Sequence, residues 1–254
     1  MKLLLSPAKL MDSNNNHSIK NFSTPKFLKK SEELVATLKT YSVSDLQKIL
    51  GISPKLTQQN WERFQKWQKN PTDKDGIQAI FGYSGEVYRS LNASQLSNQS
   101  INYLQNNAFI FSGLYGILKP LDWITPYRLE MKTNLPINKE KKLYSYWGNI
   151  ITSHIKENSS EKEILLNLTS DEYLKVIDQK KLDRKIVNCK FQTLKNGKPT
   201  SIMMHLKAAR GLMAKYCAEN NIKELEEVKA FNYSNYIFSP KDSNENNLLF
   251  IKEM

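Results

Sequence analysis

Three places in this 254-residue chain carry side chains whose types and spacing could do chemistry. In Tyr127-Arg128-Leu129-Glu130, the alternation of an extended backbone puts Arg128 and Glu130 on one face. The glutamate there is a candidate acid or base beside a guanidinium that clamps anions, or the two form a structural ion pair. Ser6-Pro7-Ala8-Lys9 sets a hydroxyl and an ammonium at the exit of an apolar run, as a nucleophile and base or as ligand contacts. Lys207 and Arg210 follow one stripe of a helix. Together Ser6, Lys9, Tyr127, Arg128, Glu130, Lys207 and Arg210 describe an enzyme acting on a nucleotide or another anionic metabolite. No nucleophile, base and orienting group form a recognisable set, so the enzyme is the rival reading. Its test is whether Arg128, Glu130 and Lys207 converge in one concavity.

A different chemistry, grip on phosphate, is written into residues 43 to 69. Val43, Leu46, Ile49 and Leu50 have helical spacing, and Gly51-Ile52-Ser53 breaks it. A second helix is predicted from Ser53 as N-cap and Pro54 at its first position, running past Trp61, Phe64 and Trp67. Two short helices joined by such a turn resemble a helix-hairpin-helix. There glycine lets the backbone approach a phosphate, and the second helix presents unpaired N–H groups and its positive dipole end. Lys48 and Lys55 flank the turn, and Arg63, Lys66 and Lys69 follow. The commoner pattern has a second glycine where this chain has Ser53. The alternative is a plain helical hairpin.

Composition sets bounds on both readings. Hydrophobic residues make up 40% and aromatics 10%, as in a globular chain and not a disordered one. The net charge of +12 invites a polyanion. It comes with 32 Lys against 5 Arg and with 25 Asn, a joint bias that weakens the global figure. Distribution says more: residues 1–70 hold 12 basic and 5 acidic side chains, while residues 71–135 hold 5 of each. No apolar run approaches the ~18 residues needed to cross a bilayer. MKLLLSPAK is too short for the ~7–15 residue core of a signal peptide, so a cytoplasmic protein is expected. His17, His154 and His205 lie in unrelated settings, and Cys189 and Cys217 are isolated, so neither a transition-metal site nor any other cofactor is expected.

Elements must hold these groups in place. Ser112 to Met131 is dense in Gly, Pro and apolar residues, including Leu114, Ile117, Leu118, Leu121, Ile124 and Leu129. It reads as an ordered, bent connector, costly to order unless packed, and so as the inner seam of the fold. Buried strands are predicted at 2–6, 108–111, 164–168, 187–194, 201–205 and 248–251. Asn196-Gly197 marks a hairpin that makes at least one strand pair antiparallel. Helices are predicted over 31–41 with Ser31 at the start, over 74–91 with a break at Gly82 to Gly85, over 143–155, and from Leu206. Gly82-x-x-Gly85 without a following lysine is no phosphate loop. Thr169 with Glu172 fits a capping box, and Gly211 in mid-helix marks close backbone approach. The expected fold is a single α/β to α+β domain, a mixed β-sheet packed by helices with an N-terminal helix-hairpin-helix-like lobe.

Several segments together resemble the YaaA family of bacterial peroxide-stress proteins: SPAKLMD at 6–12, GEVYRSL at 85–91, SGLYGILKPLDWITPYRLEM at 112–131, LYSYWG at 143–148, NLTSDEYLK at 167–175 and KAARGLMAKY at 207–216. The resemblance runs almost end to end. It implies a fold distinct from the common superfolds and a role in limiting peroxide damage and free iron. It also implies DNA binding to the phosphates of duplex or branched DNA, through the helical hairpin beside a basic cleft. The protein is expected to act as a monomer, with Lys48, Gly51, Ile52, Ser53, Lys55, Arg63, Lys66 and Lys69 on DNA and Lys9, Arg128, Lys207 and Arg210 as a possible anion pocket.

Overall fold

In a computed structural model of the chain, residues 1–12, 19–72, 75–200 and 202–253 are described. The strands are β1 (Lys2–Leu5), β2 (Ile77–Gln78), β3 (Ala108–Ser112), β4 (Gly116–Leu118), β5 (Trp123–Ile124), β6 (Leu165–Leu168), β7 (Ile186–Lys195), β8 (Lys198–Thr200), β9 (Ile237–Phe238) and β10 (Asn247–Glu253). The helices are α1 (Leu28–Lys39), α2 (Val43–Leu50), α3 (Pro54–Lys66), α4 (Ala79–Gly82), α5 (Glu86–Leu91), α6 (Asn98–Asn107), α7 (Leu143–Glu157), α8 (Asp171–Leu174), α9 (Gln179–Leu182), α10 (Met203–Glu219) and α11 (Leu225–Val228). Among these residues no helix is long and apolar enough to cross a membrane.

Eight strands form one mixed sheet in the order β4-β3-β1-β6-β7-β10-β9, with β8 pairing β7. The strands β3, β1, β6, β7 and β10 are parallel, while β4, β8 and β9 are antiparallel to their neighbours. Leu3, Leu4 and Leu5 are fully buried, as a central parallel strand covered on both faces requires. Full burial of one such leucine contributes about 1.5–3 kcal/mol. The chain leaves β1 towards β3 but leaves β6 towards β7, in opposite directions along the sheet. The carboxyl ends of β1 and β6 therefore border a topological switch point, where open α/β sheets bind ligands. β7 continues well past the last residue of β6, and β8 occupies the same edge beyond it.

The predicted seam is there. Leu114, Ile117, Leu118, Leu121, Ile124, Leu129 and Met131 are all buried. A Cβ on Gly113 would lie 2.1 Å from the Leu129 carbonyl oxygen, so the two limbs of the bend touch backbone to backbone. Trp147 of α7 donates its Nε1–H to the Gly113 carbonyl at 2.9 Å and closes the seam from behind. Trp67 ties the α2–α3 lobe to it by donating to Tyr115 Oη at 3.1 Å.

Several local expectations are corrected. The first helix begins at Leu28, ahead of Ser31; Ser31 is buried inside it and returns its hydroxyl to the Phe27 carbonyl. Residues 77–78 pair with β5 instead of continuing a helix, because Ile77 and Gln78 are drawn onto the seam. The partner strand of the Asn196-Gly197 hairpin is Lys198–Thr200, and helix begins at Met203, inside the predicted strand at 201–205. Thr169 and Glu172 form no capping box: Thr169 Oγ1 donates to Asn167 at 2.7 Å, and Glu172 accepts from the Lys132 N–H at 3.5 Å. The Asn-rich stretch with His17 falls largely outside the described residues.

Candidate functional site

Two structures face one groove. The first is the helical hairpin. Ser42 caps α2, accepting the Asp45 N–H at 3.2 Å, and Ser53 caps α3, accepting the Leu56 N–H at 3.5 Å. Gly51 adopts φ +61°, the left-handed conformation that ends α2, with no atom within 4 Å of a Cβ placed there. The N–H groups of Ile52, Ser53 and Lys55 find no acceptor among the described residues. They point out at the start of a helix of 13 residues, where a phosphate would find donors and dipole together.

The second structure is built by the exit of β1 and the end of the seam. Met11 bridges Tyr83, and its Sδ receives the Tyr127 N–H at 3.4 Å. That contact carries Lys9 to Glu130. Lys9 Nζ lies 2.9 Å and Lys132 Nζ 3.3 Å from Glu130 Oε2, and Arg128 Nη2 lies 3.2 Å from Oε1. The side chains of Glu130 and Arg128 are only 12% and 16% exposed, so the pairing is not a loose surface contact. Burial pushes the Glu130 carboxyl up, but the close ammonium groups of Lys9 and Lys132 hold it below the usual carboxylate range. It is thus ionised at neutral pH, and acts as a base or counter-ion and not as an acid. Glu130, Lys132, Thr133 and Asn134 form one wall of a groove of about 420 Å³ whose other wall is Lys48, Ile49, Leu50 and Gly51.

Behind the cluster runs a buried hydroxyl chain. Tyr83 Oη and Tyr127 Oη are 2.7 Å apart, and Tyr127 Oη is 2.6 Å from Ser112 Oγ. Burial pushes the phenols of Tyr83 and Tyr127 up, so both stay protonated. They position the seam and offer no base.

The predicted residues separate as follows. Lys9, Arg128 and Glu130 come together, joined by Lys132, which was not anticipated although the alternation 128, 130, 132 pointed to it. Ser6 and Lys9 are engaged with other groups: Ser6 Oγ accepts the Ser170 N–H at 2.9 Å, and Lys9 Nζ lies 2.9 Å from Glu130 Oε2. That bond instead ties the ends of β1 and β6 together, with Tyr88 donating to the Ser6 carbonyl at 2.8 Å. Lys207 is exposed on α10 and is not among the residues that line the groove with Glu130. Arg210 is half-buried; desolvation pushes its guanidinium down while the charge of Asp171 opposes this. Lys48 and Gly51 line the groove with Glu130. Arg63 and Lys66 instead line a separate pocket with Trp67, Thr125 and Pro126, and Lys69 is bonded to Glu32 at 3.1 Å. His154 is packed edge-on against Phe27 and Phe109, as expected of a core histidine. Cys189 and Cys217 are both buried free thiols. Among the described residues no three His, Cys, Asp or Glu side chains gather as a metal site would require.

Residues 1–242 match the family model described as peroxide stress protein YaaA. A UPF0246 protein of Marinomonas sp. strain MWYL1 is 42% identical over 252 residues, 99% of this chain and 97% of the relative. UPF0246 proteins of Shewanella pealeana and Flavobacterium psychrophilum are each 39% identical over 255 and 252 residues, covering 100% and 99% of this chain and 99% and 100% of the relatives. With the motifs, the fold and near-complete coverage in agreement, the chain belongs to the YaaA family of peroxide stress proteins, a membership that supports a role in the peroxide stress response.

Proposed function

We propose that this protein acts in the peroxide stress response by binding DNA through its phosphates, without reading sequence, at the α2–α3 hairpin and the groove beside it. The observation that carries the reading is Gly51. Its left-handed backbone, with open space around it, leaves the unpaired N–H groups of Ile52, Ser53 and Lys55 free to approach a phosphate. Among the described residues Lys55 is exposed without an ion-pair partner, and Lys48 is 79% exposed and pairs only with Asp45, so both are free to neutralise flanking phosphates. Contacts of this type fix position on the backbone and carry no base information.

The test is fluorescence anisotropy at low salt with several duplexes of unrelated sequence. The reading predicts similar affinity for all of them. Binding confined to one sequence, or none at low salt, would count against it. The convergence of Lys9, Arg128, Lys132 and Glu130 keeps a second reading in play, an enzyme acting on a nucleotide in the same groove. That Lys207 does not line the groove, and that no nucleophile, base and orienting group form a set among the described residues, places it second.

A further inference from the structure

The cluster beside the hairpin sets one negative charge against three positive ones. Arg128 hydrogen-bonds Oε1 of Glu130, while Lys9 and Lys132 are ion-paired with Oε2, which is itself buried without a hydrogen bond; among the described residues the charged ends of the three cations pair with no other anion. Three cations so close repel one another unless an anion lies between them. Nε of Arg128 is buried without a hydrogen-bond partner, so the guanidinium has donor capacity left. Glu130 and Lys132 face the groove of about 420 Å³ whose far wall is the hairpin turn, a volume within the range of small-molecule sites.

We propose that this cluster is a phosphate-binding site in which the Glu130 carboxylate stands in for the ligand. A phosphate group of a nucleotide displaces it from Lys9 and Lys132. A carboxylate and a phosphate accept the same charge-assisted hydrogen bonds from ammonium and guanidinium groups, so the exchange conserves the contacts. Glu130 then turns into the groove, where water solvates it. The path of a longer strand from the hairpin into this site rests on the DNA-binding reading, but the chemistry of the site does not, and a free mononucleotide satisfies it. The consequence is a sign that a catalytic glutamate would not give: removing the negative charge of Glu130 strengthens nucleotide binding.

The test is calorimetric titration of the full chain with deoxyadenosine monophosphate at low salt, for wild type, Glu130→Gln, Lys9→Gln and Lys55→Glu. Glu130→Gln, close in shape to the native residue and removing a mostly buried charge, is expected to bind about tenfold tighter, and Lys9→Gln, whose native side chain is 54% exposed, about threefold weaker. Lys55→Glu should bind the mononucleotide like wild type while losing affinity for duplex DNA. Mononucleotide binding by Glu130→Gln no tighter than by wild type, with an unchanged near-ultraviolet circular dichroism spectrum, would overturn the proposal. The same holds for Lys9→Gln with undiminished affinity. If Lys55→Glu keeps full duplex affinity while Glu130→Gln still tightens mononucleotide binding, the hairpin reading fails and the phosphate site stands.

Discussion

Replacing Gly211 by alanine drives a methyl group into the backbone of α5. A Cβ built on Gly211 lies 2.0 Å from the carbonyl oxygen of Val87, 2.9 Å from its carbon and 3.0 Å from the Leu91 nitrogen. Ordinary contact begins near 3.4 Å, so α5 and α10 must part along that line by about 1.4 Å, the gap between 2.0 and 3.4 Å. The obstacle is main chain, so no side chain can swing away to relieve it. Overpacking costs about 1–3 kcal/mol, and a rigid main-chain obstacle puts this case in the upper part of that range, about 2–3 kcal/mol. Alanine recovers about 1 kcal/mol of helix propensity. The net loss is then about 1–2 kcal/mol, and at about 2–4 °C per kcal/mol for a chain of this size the Tm should fall by about 2–8 °C. Thermal unfolding followed by circular dichroism measures it. A Tm equal to or above that of wild type would refute the close packing of α10 on α5.

Tyr127→Phe removes the middle of the Tyr83–Tyr127–Ser112 chain and leaves two buried hydroxyls short of a partner. It should cost about 1–3 kcal/mol in urea unfolding, and an unchanged midpoint would show that Tyr83 and Ser112 find other partners. His154 supplies a pH dependence. Burial holds its imidazole below the ordinary 6.5, so the unfolded chain takes up the proton first and stability falls as the pH drops through 6.5 towards the folded value. The loss of Tm on going from pH about 7.5 to about 5.5 should be smaller in His154→Gln than in wild type, and equal losses would contradict a neutral, buried ring.

Much of this fold is legible in the sequence because its signals are local. Leu3-Leu4-Leu5 is apolar on every residue, so it reads as a central strand, and Ser53-Pro54 specifies the start of α3 by itself. Gly113 and Gly116 announced a bend that only close packing could hold. The errors share a cause, tertiary override of a local signal. Ser31 has the chemistry of an N-cap, but α1 begins a turn earlier and buries it. Thr169 prefers Asn167, which the end of β6 puts within reach. The candidate groove was half-legible: alternation gave the face of Arg128 and Glu130, but nothing local says that residue 9 returns to residue 130. Spacing on α10 put Lys207 and Arg210 on one stripe, but nothing local says that the helix packs on α5 through Gly211.

The salt dependence of duplex binding tests the central claim most directly. If the hairpin grips phosphates, the logarithm of the binding constant falls linearly with the logarithm of salt, with a slope of about −0.9 per phosphate contacted. Lys55→Glu should flatten that slope by at least roughly one unit on every duplex tested. Gly51→Val should lower affinity without removing any charge, because a β-branched residue is strained at φ +61° although no neighbour blocks it. Wild-type slopes and affinities in both variants, with folding intact, would contradict the account and move the DNA site away from the hairpin.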